Sequence, residues 1–168
     1  MRCLGLQNRI GKKKGGFAGT WAYNLQFGSV EFFNFLKDLG LTPAKSKTMK
    51  AIRVPKKYFP DFLRGLFDGD GSFYSYFDRR WRSSFMFYII FISASRGHVA
   101  WLQKKLLQYY AVQGHGAHQS YRNAYQLKYA KKEAIKIIQA MYYSPLVPCL
   151  ERKRKKIYNA LEIDQRTK

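Results

Sequence analysis

Acidic residues are what this chain has least of. Its 168 residues carry 10 Asp+Glu against 31 Lys+Arg, a formal charge of +21. An imbalance of that size points to a polyanionic partner, nucleic acid or an acidic membrane surface, and says little about fold. Cysteine is scarce as well. With only Cys3 and Cys149, neither a disulfide framework nor a zinc cluster is available. No apolar run reaches transmembrane length, and MRCLGLQNRIGKKKGG lacks the apolar stretch of a signal peptide. The expectation is a reducing intracellular setting and no membrane partner.

Apolar and aromatic residues, by contrast, are plentiful. A hydrophobic content of 46% is ample for a core, in one ordinary domain or two small ones. Aromatics make up 17% of the chain, with 13 Tyr and 13 Phe, many beside basic residues. Most such rings belong to a core, because they are large apolar groups. Rings interleaved with Arg also suit a nucleic-acid face, where rings pack on bases and cations hold phosphates.

Helical periodicity recurs five times. SVEFFNFLKDLG offers Ser29 as an N-cap, Val30, Phe33 and Leu36 as one apolar face, and Gly40 as a stop. PDFLRGLFDGDG opens with Pro60 near the first helical position and ends in glycine. GHVAWLQKKLLQYY and KKEAIKIIQAMYY are amphipathic, and CLERKRKKIYNALEI is a basic terminal helix. Between them, SFYSYFDRRW with SSFMFYIIFIS and then HQSYRNAYQLKYA read as two hairpins, the second turning at or near Arg122-Asn123. From Pro60 the order is helix, hairpin, helix, hairpin, helix, helix: an α+β unit with one antiparallel sheet and its helices on one face. The other face then meets solvent or a ligand. Tyr74, Tyr76, Arg79, Arg80, Arg82, His118, Tyr121, Arg122, Gln126 and Lys128 fall on its strands or tips, and so many Tyr and Arg with so few acids favour a ligand.

AYNLQF (22–27) matches AYQLKY (124–129). Each is followed by an amphipathic helix and then by a Pro- and Lys-containing segment, LTPAKSK or LVPCLERK. Two unequal copies of one unit are expected, an incomplete one over 1–55 and a complete one over 56–168. By this repeat Asn24 and Gln26 stand where Gln126 and Lys128 do, and join the ligand-facing set.

LRGLFDGDGSF (63–73) combines a helix that ends in glycine with two of the few acids, Asp68 and Asp70. A helix C-terminus repels anions. Gly65 and Gly69 are four apart, hence on one face, and remove the side chains that hold helices apart. Each costs roughly 1 kcal/mol relative to alanine inside a helix, so a steric need is implied. Were an equivalent helix to pack here, the acidic ends would meet, and like charges need a cation between them. Carboxylate oxygens favour a hard divalent ion, Mg²⁺ being usual beside phosphates. An EF-hand is ruled out, because its loop would place Phe73 at the obligatory glycine and Arg79 at the obligatory Glu. Local capping by Asp68 and mere solvation of Asp70 stay open on helix chemistry alone.

LRGLFDGDG (63–71) resembles the nine-residue motif of the LAGLIDADG homing endonucleases, sharing Leu63, Gly65, Leu66, Asp68, Asp70 and Gly71 with the motif's letters. Arg64, Phe67 and Gly69 depart from them. RVPKKYFPDF before the motif, SF after it and the distal CLERKRKKI also fit the family. The resemblance implies repeated αββαββα units whose motif helices form the interface and whose antiparallel sheets make a DNA-binding saddle. It implies Asp70 as metal ligand and catalytic carboxylate, and Asp68 as support for the helix end. Lys153 is implied as a basic residue near the active site, and Lys45 in PAKSK as its first-copy counterpart. Ser93 and Ala94 fall near where many members place a water-positioning polar residue. Gly65, Asp68 and Gly69 would lie at the helix interface.

One departure matters. Met1 stands after the place of the first copy's motif helix, and a two-motif protein needs both helices. The second helix is expected from a missing N-terminal segment or from a homodimer partner, and the leftover first-copy segment favours the former. The expected function is site-specific double-strand DNA cleavage by Mg²⁺-dependent phosphodiester hydrolysis, as in an intron-encoded mobile element. The alternative is a non-cleaving DNA-binding relic or an intron-RNA maturase on the same fold.

Overall fold

The computed structural model describes residues 5, 7–15, 19–44, 46–81, 84–120 and 123–167. The chain divides into two compact units, Met1–Asp38 and Leu39–Lys168.

In the first unit, β1 (Gly11–Gly15) and β2 (Thr20–Asn24) form an antiparallel hairpin, followed by α1 (Val30–Asp38). Strand alternation puts Lys12, Lys14, Trp21 and Tyr23 on one face. The Lys12 ammonium lies 5.8 Å from the Trp21 ring and 5.7 Å from that of Tyr23. Ser29 caps α1 as expected, its Oγ accepting from the Phe32 N–H at 3.1 Å. The apolar face of α1 does not become a core, since no residue of the helix is buried. A two-stranded ribbon with one helix has no second layer to cover it.

The second unit holds the core. After a 3-10 turn at Lys56–Tyr58 come α2 (Phe59–Gly69), β3 (Ser72–Phe77), β4 (Phe85–Ser93), α3 (Arg96–Tyr110), β5 (His115–Gln119), β6 (Ala124–Ala130), α4 (Lys131–Met141) and α5 (Glu151–Arg166). The four strands pair antiparallel in the order β3-β4-β6-β5. This is the expected α+β order of helices and hairpins. The α2 residues Phe59, Leu63 and Phe67 bury a 3.6-period stripe against Phe73, Phe87, Ile89 and Phe91 of the sheet, with Leu102 and Leu106 of α3 and Ile137 and Met141 of α4 in the same core. Ser95 caps α3 by accepting from the His98 N–H, and Ala111 closes it in the left-handed region at φ 51°. The β5–β6 connection turns through Asn123 at φ 46°.

Residues 39–54 belong to the second unit, although the sequence repeat divides the chain after residue 55. Arg53 N–H donates to the Leu39 carbonyl at 2.9 Å. Ser95 Oγ donates to the Met49 carbonyl, and His98 Nδ1–H to that of Lys50 at 3.1 Å. Gly40 adopts φ +100°, and a Cβ there would stand 2.9 Å from the Ala51 carbonyl oxygen. No helix among the described residues is long and apolar enough to cross a membrane.

Candidate active-site half and basic face

The C-terminal end of α2 is held by α5 through reciprocal bonds. Asp68 Oδ2 accepts from the Leu150 N–H at 2.8 Å, just where α5 begins. In return the Lys153 ammonium, one turn into α5, donates to the carbonyls of Phe67 (2.6 Å), Asp68 (2.9 Å) and Gly71 (2.6 Å). Those of Phe67 and Asp68 are among the orphan carbonyls every helix leaves at its end, that of Gly71 lies just beyond it, and a cation suits the dipole there. Burial, then the Arg152 charge, pulls the Lys153 ammonium below the usual lysine value, against the attraction of Asp68 and Asp70. Asp68 is thus a structural acceptor, and its Oδ1 is buried without a partner.

Asp70 stands apart from this clasp. It is the C-cap of α2, with its N–H on the Leu66 carbonyl and its side chain exposed. Among the described residues its carboxylate has no hydrogen-bond or salt-bridge partner. It borders a cavity of about 340 Å³ lined also by Ser46, Met49, Leu66, Ser93, Ala94 and His98. Ser93 Oγ accepts from the Ser95 N–H at 3.1 Å. His98 Nδ1–H is on the Lys50 carbonyl, and its Nε2 is buried without a partner. Burial pushes the His98 imidazole below its ordinary value, and the hydrogen bond to Lys50 opposes that only in part.

The three motif glycines differ. A Cβ at Gly71 would lie 2.7 Å from Phe67 Cα and its carbonyl oxygen, so only glycine fits. Gly65 and Gly69 are exposed, with nothing within 4 Å of a built Cβ. Nothing among the described residues accounts for those two glycines.

Strand register sorts the basic and aromatic residues into two faces. Ser72, Tyr74 and Tyr76 of β3, Met86, Tyr88, Ile90 and Ile92 of β4, and Gln126 and Lys128 of β6 share the face opposite the core. There Tyr74 and Tyr88 stack at 5.1 Å, Tyr76 and Tyr88 at 6.2 Å, and the Lys128 ammonium sits 3.9 Å over the Tyr88 ring. A hydrogen bond to Tyr76, with burial second, pushes the Tyr88 hydroxyl up to about 12. Arg79 and Arg80 are exposed at the β3–β4 tip, where Asp78 holds the Arg80 guanidinium at 2.9 Å and is itself held below its usual value by that bond.

His118 corrects the sequence reading. The period of two turns it to the helix-bearing face, where its ring lies tilted against Tyr125 with centroids 4.6 Å apart, near Arg96 and Gln103, while Gln126 and Lys128 point to the opposite face. Asn24 ends β2 with its side chain against Gly11, and Gln26 is exposed, its carbonyl accepting from Asn8 Nδ2 at 3.3 Å. Lys45, Arg82, Tyr121 and Arg122 lie outside the described residues.

Two residues escape sequence reading. Tyr88 sits in SSFMFYIIFIS, a run too continuously apolar to reveal an outward row. Arg64 looks like an exposed cation but is buried, bonding Pro148 O (2.9 Å), Met141 O (2.8 Å) and Asp61 (2.6 Å). The signal available was its place three positions before Phe67, beside the apolar stripe of α2.

A sheet with one aromatic, basic open face, beside a helix that ends in a solvated acid, defines an α+β protein. Its architecture is that of the LAGLIDADG homing endonucleases. The structure of one, I-GzeII in complex with its DNA target, is similar over 80% of this chain and 46% of that one, at 15% identity and TM-score 0.50. A homing endonuclease, I-TnaI, matches at 18% identity and TM-score 0.43, over 64% of this chain and 70% of that one. The archaeal intron-encoded homing endonuclease I-Vdi141I, complexed with DNA, matches at 13% and 0.40, over 53% and 57%. No family model matches the chain, and no curated protein matches it by sequence.

Proposed function

We propose that this chain supplies one half of the active site of a site-specific DNA endonuclease that hydrolyses both strands of a duplex with a divalent metal. The observation that carries this reading is the division of labour at the end of α2. Lys153 already satisfies the carbonyls of Phe67, Asp68 and Gly71, and Asp68 is taken up by Leu150, so the exposed Asp70 carboxylate has no structural duty. The fold is the one seen in I-GzeII bound to its DNA target.

A carboxylate is the right donor for Mg²⁺, but one acid is part of a shell. No group of three His, Cys, Asp or Glu residues able to hold a metal occurs among the described residues. The remaining donor belongs to a second helix end, brought to the exposed Gly65–Gly69 face by a longer form of the protein or by another copy. Held by Asp70 and that second acid, Mg²⁺ would polarise the scissile phosphate and favour deprotonation of water. The chain's own residues bind and orient. Lys153 fixes the helix end that carries Asp70, and the open sheet face holds the duplex through Tyr74, Tyr76, Gln126 and Lys128, with Arg79 at the tip.

The lone acid favours a second reading, a non-cleaving binder of DNA or intron RNA on the same fold. Incubation of the chain with a randomised duplex library and Mg²⁺ separates the two. Endonuclease function requires cleavage that Asp70→Asn abolishes while binding persists. Binding with no cleavage under any divalent ion, both by this chain and by a form that supplies a second acid-bearing helix, leaves the second reading, and undiminished cutting by Asp70→Asn removes the assigned role of Asp70.

A further inference from the structure

The open face of the sheet has an unexpected centre. An antiparallel sheet with one uncovered face ordinarily alternates apolar inward with polar outward residues. β4 does not. Phe85, Phe87, Ile89 and Phe91 face the core, yet the outward row is Met86, Tyr88, Ile90 and Ile92, all only half-buried. The register sets Ile90 between Ser72 and Lys128, and Ile92 beside Gln126. Two aliphatic side chains, Ile90 and Ile92, therefore follow one another on the face beyond the Tyr74–Tyr88 pair, with an amide and an ammonium beside them on β6.

Ile90 and Ile92 neither donate nor accept hydrogen bonds, and they gain nothing from water. A second copy of this face is a poor occupant, because its cations, Lys128 among them, would meet their like. A nucleic-acid duplex matches the flanking cations, and its B-form major groove displays one apolar group, the C5 methyl of thymine. An A-form RNA duplex offers neither that methyl nor a major groove that side chains can enter. Outward side chains along a strand recur at about 6.7 Å, roughly two steps of 3.4 Å along the duplex.

We propose that Ile90 and Ile92 of β4 read thymine methyl groups in the major groove of a DNA target, with Gln126 and Lys128 supplying the adjacent polar readout. This inference rests on the DNA-binding reading above and adds the base chemistry of the target to it.

The test uses the full chain and a randomised DNA duplex library. Selected duplexes are resynthesised with deoxyuridine at each thymine in turn, which removes one methyl and keeps every base pair. The expected result is enrichment of T·A pairs and about fourfold weaker binding for each methyl that had met an aliphatic side chain. Ile90→Ser should erase the thymine-over-deoxyuridine preference at one position. It should leave the salt dependence unchanged, because Ile90 neutralises no phosphate. Selected duplexes that bind equally well with deoxyuridine throughout would overturn the inference while leaving DNA binding intact. An RNA duplex competing as well as the selected DNA would overturn it too. No enrichment of any duplex would remove the DNA-binding reading and the inference with it. If Ile90→Ser fails to fold, the deoxyuridine series decides alone.

Discussion

Lys153 donates to the carbonyl oxygen of Gly71 at 2.6 Å, tying the first turn of α5 to the point where α2 gives way to β3. The same ammonium reaches Phe67 and Asp68, so three carbonyls converge on one cation. The macrodipole problem posed by two acids at a helix C-terminus is answered within the chain, before any metal is considered.

Replacement of Lys153 by Met should therefore cost stability, about 3 kcal/mol, since charge-assisted bonds to partly buried carbonyls are lost together. Lys153→Arg should not rescue it. A planar guanidinium cannot direct donors at three carbonyls clustered around an ammonium-sized site. Urea denaturation of both variants measures this. Wild-type stability in Lys153→Met would show that the clasp is incidental and that any loss of activity is chemical.

Arg64 makes a counterintuitive case. Arg64→Ala restores a letter of the family motif, yet it should destabilise the chain by about 3 kcal/mol or more. It strands the Met141 carbonyl at the end of α4, frees that of Pro148 and removes the ion pair of Asp61, which keeps only the Tyr143 hydroxyl at 3.0 Å. Thermal unfolding of Arg64→Ala and Arg64→Lys should rank wild type above Lys and Lys above Ala. A neutral Arg64→Ala would sink this account of the buried guanidinium.

How far the sequence carried this reading depends on the kind of signal. The elements from Pro60 onward were legible, because strong 3.6 and 2.0 periodicities and the punctuation at Pro60 and Asn123 all agree with the tertiary fold. Asp68 and Asp70 stood out as rare acids, but their separate fates depend on Leu150, more than eighty residues away in the chain, which no local pattern reveals. His118 was misplaced because a hairpin register was needed, and one residue of register flips a side chain to the other face. Arg64 was opaque for a similar reason, since its partners at 141 and 148 are brought to it only by helix packing. In α1 the apolar face was legible and its fate was not, because periodicity shows that a face is apolar but not what covers it.

The motif glycines should separate in stability. Gly71→Ala is expected to cost about 2 kcal/mol, because its methyl would meet the Phe67 backbone. Gly65→Ala, with open space around it, should instead stabilise the isolated chain by about 0.5–1 kcal/mol through helix propensity. Gly69→Ala should be neutral or mildly stabilising. If the open face seats a second helix, Gly65→Ala and Gly69→Ala should also weaken that pairing and any cleavage depending on it. Denaturation curves paired with a cleavage assay test both halves. A destabilising Gly65→Ala would mean that the face is already occupied within this chain.

His98 should make stability depend on pH in a stated direction. Burial holds its imidazole below the ordinary 6.5, with Nδ1–H on the Lys50 carbonyl and the ring against Trp101. Nε2 has no acceptor for a second proton. The folded state thus binds fewer protons than the unfolded chain as pH falls through 6.5. The stability associated with neutral His98 is fully present above that pH and is lost progressively as pH drops toward the lower folded-state value. His98→Gln keeps an N–H donor for Lys50 without titrating, so its stability should fall less than that of wild type between about pH 8 and 5. Parallel curves for the two proteins would mean that His98 is free to protonate where it lies, and that the segment through Met49 and Lys50 is not held by a neutral imidazole.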